Sequence, residues 1–185
     1  MIGGDPTAGE DARIFGVAVP VAEPYAAELE AWRERFGDPL AHAVPAHVTL
    51  VPPTEVASAR VEELERHLVE VAEAGEPFEL QLRGTGTFRP VSPVVFVAVV
   101  DGIAGCEGLE RAARTGPLAG DLRFPYHPHV TVAHHVPDAV LDEAFEALAD
   151  YDVRFLVERF ALYEHGSDGI WRTLRDYPLG EPVGP

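Results

Sequence analysis

The sequence predicts an α+β fold of two similar lobes whose sheets face each other across a cleft, and three observations predict it. First, a four-residue stretch is used twice. His47-Val48-Thr49-Leu50 is echoed by His129-Val130-Thr131-Val132, 82 positions later. Second, each copy is entered through a Pro-containing loop and followed by prolines and a helical pattern. Third, short β-rich runs and amphipathic segments follow the order strand, helix, motif strand, helix, two strands, helix, motif strand, helix, hairpin. Successive side chains of a strand point to opposite faces. Each motif therefore turns two apolar residues to a core and a histidine and a threonine the other way. The lobes interleave in sequence, so residues 1–185 are read as one bilobal domain without an internal boundary.

Residues 13–19 (RIFGVAV) form a β-rich run ended by Pro20. Over 23–36, Tyr25, Leu29, Trp32 and Phe36 recur at helical spacing, and Gly37 stops the helix. A loop over 39–45 delivers the first motif strand, 46–51, which Pro52-Pro53 should close. Val61, Leu64, Leu68 and Val71 mark a helix ending near Gly75. Residues 78–82 alternate, Gly84-Thr85-Gly86 reads as a turn, and 94–100 is a continuous β-branched run suited to a buried neighbouring strand. A short helix over 102–115, carrying Ile103, Leu109 and Ala113, and a loop over 116–128 lead into the second motif strand. Pro137-Asp138 opens a helix with Val140, Leu141, Phe145 and Leu148 on one side and Asp138 as N-cap. Two closing strands, 153–164 and 170–177, flank the turn Gly166-Ser167-Asp168-Gly169.

Composition narrows the function. Hydrophobic residues make up 46% of the chain, enough for a globular core, and only the ends, 1–11 and 180–185, are expected to be flexible. No stretch reaches the ~18 apolar residues of a membrane span and no secretory signal opens the chain, so a cytoplasmic location is expected. The single cysteine, Cys106, reads as a small helix residue. Formal net charge is −17, and all 14 basic residues are arginines. Broad adhesion to long nucleic acid or to an anionic membrane is disfavoured, while a small anionic ligand held by a few local groups is compatible.

If both motif strands line the cleft, His47 and His129 converge on whatever lies between the lobes. Displacement at phosphorus is in line, with a base wanted on one side and an acid on the other. An imidazole, with a pKa near ~6.5, can be either at neutral pH. Thr49 and Thr131, each beside its histidine, can donate to the non-bridging oxygens as charge grows there. The scheme requires no metal or other cofactor. One His-x-Thr in a strand is commonplace; two in matched context favour the functional reading. Two rivals remain: a catalytically silent nucleotide- or RNA-binding module on the same scaffold, and a zinc-dependent hydrolase, since His127, His129 and His135 share one face of an ideal strand. The loop Arg123-Phe124-Pro125-Tyr126 runs into the second motif. Arg123 could hold phosphate there and Phe124 or Tyr126 could stack on a base, or the aromatics could pack on the core.

With these residues in view, the sequence resembles the 2H phosphoesterase superfamily, in particular its 2′-5′ RNA ligase-like, cyclic nucleotide phosphodiesterase branch. AHVTLVPP and HPHVTVAH are similar to its two motifs, RIFGVAVP to its opening strand, PFELQLRGTGTF to its middle strand and ALYEHGSDGIWRTLRDYPL to its closing hairpin. The resemblance implies antiparallel sheets lining a central cleft with helices outside. It further implies a metal-independent phosphodiesterase acting on 2′,3′-cyclic phosphates or 2′-5′ phosphodiesters of small nucleotides or RNA ends, with His47, Thr49, His129 and Thr131 as catalytic residues. Many RNA-ligating members carry an arginine where this chain has His134. That departure, together with the absence of lysine, counts against RNA ligation and long-RNA binding.

Overall fold

The computed structural model describes residues 11–180, so the ends expected to be flexible lie outside the described residues, save Asp11 and Gly180. In chain order the elements are β1 (Ala12–Pro20), α1 (Tyr25–Arg35), β2 (His47–Ala57), α2 (Val61–Ala74), β3 (Phe78–Thr87), β4 (Val94–Asp101), α3 (Ile103–Ala113), β5 (His129–His134), α4 (Asp138–Ala147), β6 (Asp152–Val157), β7 (Arg159–His165) and β8 (Trp171–Pro178). They build two four-stranded antiparallel sheets, ordered β2-β1-β7-β8 and β5-β4-β3-β6. The α+β expectation holds, and so does the interleaving, because the first sheet takes strands from both ends of the chain. The two motif strands, β2 and β5, are the corresponding edge strands of the two sheets.

The alternation inside each motif decides which way it faces. Val48, Leu50, Val130 and Val132 are each at most 1% exposed and belong to the main core. Burying a side chain of this size contributes roughly 1.5–3 kcal/mol, so reversing a strand's face would forfeit several such terms at once. His47, Thr49, His129 and Thr131 are left half-buried on the opposite face. Among the described residues no helix is long and apolar enough to cross a membrane.

Several local expectations are corrected. Pro52 and Pro53 do not close the first motif strand: β2 runs on to Ala57. It can do so because it is an edge strand, and the pairing with β1 is irregular between Phe15 and Ala18, where the prolines' missing N–H groups cost little. Gly84-Thr85-Gly86 is an irregularity inside β3 rather than a turn, with Gly84 at φ +66° and its N–H donating to the Tyr151 carbonyl at 2.9 Å. A left-handed residue without a Cβ allows this bend while pairing continues on both sides.

The closing strand expected over 153–164 is two strands. β6 pairs with β3 in the second sheet, and β7 pairs with β1 and β8 in the first. A break at Glu158 lets the chain cross between sheets, which an unbroken apolar run does not advertise. Pro137, not Asp138, holds the N-cap position of α4, without a side-chain cap, and Asp138 is its first residue. Ile103 and Phe145, expected on buried faces, are 39% and 37% exposed; Cys106 and Ala144 take the inward positions.

Candidate active site

Each motif histidine is held in the same way. Nδ1 of His47 lies 2.6 Å from the Pro45 carbonyl oxygen, and Nδ1 of His129 lies 2.7 Å from that of His127. A carbonyl can only accept, so Nδ1–H donates in both rings and Nε2 is the nitrogen left for chemistry. The partner carbonyl is two residues upstream in each case, at the end of a loop that contains a proline. The repeat thus extends beyond the four shared letters.

It extends downstream as well. The register of β2 against β1 slips after Thr49, since Ala18 faces Thr49 while Val17 faces Val51. The register of β5 against β4 slips after Thr131, since Phe96 faces Thr131 while Val95 faces Ala133. Leu50 and Val132, the fourth residue of each motif, are therefore the extra residues of two matched β-bulges. Bulges re-aim the side chains that follow them. On β5 the consequence is that Val132 and Ala133 are both buried and His134 turns to the same side as Thr131.

Between the sheets lies a cleft of about 410 Å³ lined by His47 and Thr49 of β2, Thr131 and His134 of β5, Arg33 of α1, and Tyr163 and Trp171 of the first sheet. That volume is within the usual range for a small-molecule site. Gly16 and Ala18 of β1 also line it, and small residues there keep the floor open. His129 stands beside the cleft, two residues before Thr131. Its ring packs against Phe88 and Phe96, with centroids 4.9 and 5.0 Å away, and lies 5.9 Å from His127.

Burial governs the electrostatics. Desolvation pushes the His129 pKa down to about 4, with neighbouring positive charge on His127 and His47 lowering it further against the opposing hydrogen bond to the His127 carbonyl. Desolvation also lowers His47, opposed by its own carbonyl bond and aided by Arg33. His134 is lowered by burial and by His135. Among the described residues no carboxylate lines the cleft, and the charged rings are favoured only by the carbonyl bonds of His47 and His129 and by the buried Asp38 near His134.

The remaining sequence-predicted residues divide. His134 lines the cleft. Tyr126 reaches the first motif strand, but its hydroxyl donates to the Thr49 carbonyl oxygen at 2.9 Å and its ring packs on the core, tying the second motif's loop to the first motif. Arg123 and Phe124 are exposed and lie on one another, the guanidinium 5.4 Å from the ring centroid, and neither lines the cleft. The histidine trio His127, His129 and His135 is not assembled. The bulge breaks the ideal alternation, and His135 sits outside β5 at φ +56°, its ring stacked at 3.6 Å on His134. Among the described residues no three His, Cys, Asp or Glu side chains are grouped to hold a metal ion.

Sequence reasoning missed Arg33, hidden among the glutamates of α1. Its signal was its spacing, four residues after Leu29 on the face that Leu29 buries. It also missed Tyr163 and Trp171, which become cleft walls only when β7 and β8 join β1.

Solved structures share this fold. LigT of E. coli in apo form superposes with a TM-score of 0.66 at 21% identity, covering 92% of this chain and 99% of that one. LigT complexed with 3′-AMP gives the same TM-score at 19% identity, covering 92% and 100%. Structures of LigT with NADP+ and with ATP share the fold too. Among sequences, a Halalkalibacterium halodurans protein named "Putative phosphoesterase" is 25% identical over 169 residues, covering 90% of this chain and 98% of its own length. The sequence model of the 2′-5′ RNA ligase superfamily matches residues 20–169. The chain belongs to that superfamily, the 2H phosphoesterases.

Proposed function

We propose that this chain is a metal-independent phosphodiesterase that hydrolyses 2′,3′-cyclic phosphates or 2′-5′ phosphodiesters of small nucleotides or RNA ends. The observation that carries the reading is the pair of matched histidines. Both rings have Nδ1–H committed to a carbonyl and Nε2 available, and they stand on edge strands of two sheets that border one cleft. One Nε2 takes a proton from water as the water oxygen bonds to phosphorus. The bond from phosphorus to a ribose oxygen breaks, and the other ring's Nε2–H delivers the proton to that leaving oxygen. Thr49 and Thr131 hydroxyls donate to the non-bridging oxygens, which carry more charge in the transition state than in the ground state. The small nucleotides bound by LigT are in keeping with a cleft of this size.

The catalytically silent module is favoured by one observation: with His129 at about 4 and His47 lowered, the free protein holds both rings neutral at pH 7. A bound phosphate anion opposes that, because a nearby negative charge favours the imidazolium. The deciding experiment is a panel of 2′,3′-cyclic nucleotides, 2′-5′ dinucleotides and an ADP-ribose cyclic phosphate, with product regiochemistry recorded and a parallel arm after prolonged EDTA treatment. Turnover unchanged by EDTA is expected. Binding without turnover across the panel establishes the silent module, and activity lost to EDTA and restored by zinc overturns the metal-independent scheme.

A further inference from the structure

The ligand proposed above is anionic, yet His47 and His134 in the cleft and His129 beside it are all held toward neutrality, and the chain has no lysine. Among the described residues, Arg33 is the one arginine that lines the cleft. It is 4% exposed, and its donors are partly committed: Nε and Nη2 to Oδ2 of Asp38 at 3.2 and 3.0 Å, and Nη1 to the Val44 carbonyl oxygen at 3.2 Å. A guanidinium has five N–H groups, so one on each terminal nitrogen remains beyond these bonds.

Asp38 is wholly buried at its side chain and is not among the residues that line the cleft, its Oδ1 taking the Leu40 N–H at 2.8 Å. The pair therefore presents its cationic member to the cleft and keeps its anionic member behind. A buried ion pair of this kind is often no more stabilising than apolar residues of the same volume. Its stability contribution alone does not account for an arginine at this position.

We infer that Arg33 is an anion-binding residue of the cleft, held by Asp38 and the Val44 carbonyl so that its remaining N–H groups take a phosphate oxygen of the ligand. The identity of the ligand rests on the phosphoesterase reading; the site itself does not. Tethering to Asp38 fixes the fork before the ligand arrives, so less side-chain entropy is lost on binding. The same guanidinium lies near enough to His47 to hold its pKa down, so it couples anion binding to the protonation of that ring; at His134 the Asp38 carboxylate opposes it. Arg123, 5.4 Å from the Phe124 centroid and exposed, does not supply that charge.

The test begins with the unaltered protein. Inorganic phosphate, and separately 3′-AMP, is titrated while the arginine side-chain N–H resonances are followed by NMR, with Arg33 assigned from its loss in Arg33→Lys. The Arg33 resonances are expected to shift and saturate together with the backbone amides of Thr49 and Thr131. Shifts at the threonines with Arg33 unmoved overturn the inference, and so does an absence of phosphate binding.

A second arm uses Arg33→Met combined with Asp38→Leu, which removes the pair without stranding a buried charge. The folded double variant should bind phosphate about tenfold to a hundredfold more weakly. The titration of His47 should move upward, a change that a role limited to bracing the 38–44 loop does not produce. Phosphate affinity kept within about twofold in that folded variant overturns the inference. If the double variant does not fold, the titration of the unaltered protein decides. A protein that binds phosphate through Arg33 but turns over nothing in the substrate panel sinks the phosphoesterase reading and leaves this site standing.

Discussion

Two imidazoles that are neutral in the free protein make the residue scale the place where pH acts. Because kcat/KM reports the free enzyme and one ring must be protonated while the other is neutral, its pH profile should be a bell. Both limbs should lie below ~6.5, the ordinary histidine value, since His129 titrates near 4 and His47 is lowered too. A steady-state profile with its optimum on the alkaline side of that value would contradict the assignment. His47→Ala and His129→Ala should each abolish turnover while the circular-dichroism spectrum stays native, because both rings lie off the core face. The double variant should be little worse than either single, as groups acting as one unit behave. A single variant that keeps most of its kcat removes the paired scheme.

Stability follows the same groups. A histidine whose folded pKa is depressed binds fewer protons in the native than in the unfolded state. Its contribution is present above the unfolded value of ~6.5 and is lost as pH falls toward the folded one. Tm should therefore drop between about pH 6.5 and 5, before most carboxylates titrate, and His129→Gln should flatten that slope.

At the scale of elements, the paired bulges decide what the edge strands offer. They place His134 on the cleft side of β5, where strict alternation from His129 would have put it in the core. Behind β5 the second sheet is tightly fitted around the motif. A Cβ on Gly86 of β3 would fall 2.5 Å from Cζ and 2.6 Å from Cε2 of Phe96, and the Phe96 ring lies against His129 with centroids 5.0 Å apart. Gly86→Ala must therefore move Phe96. The expected cost is about 1–3 kcal/mol in urea denaturation, as for overpacking generally, with a fall in kcat that exceeds any rise in KM, because the displaced ring bears on His129. A normal kcat in a destabilised Gly86→Ala protein would show that the Phe96 ring does not position the histidine.

For the molecule as a whole, charge discriminates between substrates. Net charge is −17, and among the described residues nine of the 14 arginines pair with carboxylates. Few cations are left to meet the many phosphates of a long RNA, whereas one or two phosphates fit within a cleft that no carboxylate of the described residues lines. kcat/KM for a mono- or dinucleotide substrate should exceed that for the same linkage at the end of a long RNA. Added salt should narrow the gap, since screening weakens long-range repulsion more than contacts inside the cleft. Tight binding of long single-stranded RNA at physiological salt, weakening steeply as salt rises, would reveal a basic groove and reverse this prediction.

The amino-acid order by itself determined the elements that rest on local periodicity: the two His-x-Thr strands with their buried Val48, Leu50, Val130 and Val132, the helix of Leu64, Leu68 and Val71, and the hairpin at Gly166 to Gly169. It also determined that four polar side chains share the non-core faces, because alternation over three residues is a backbone property. What only the tertiary structure decided depends on partners distant in sequence. The division of 153–164 between sheets depends on whether β3 or β1 is alongside. The bulges after Thr49 and Thr131 exist only in register against β1 and β4. The burial of Arg33 needs Asp38 and the Val44 carbonyl around it, and the Tyr126 hydroxyl needs a carbonyl 77 residues away. Periodicity reports which face of an element is apolar, but which groups meet across a cleft is set by pairing and packing between segments that no local pattern links.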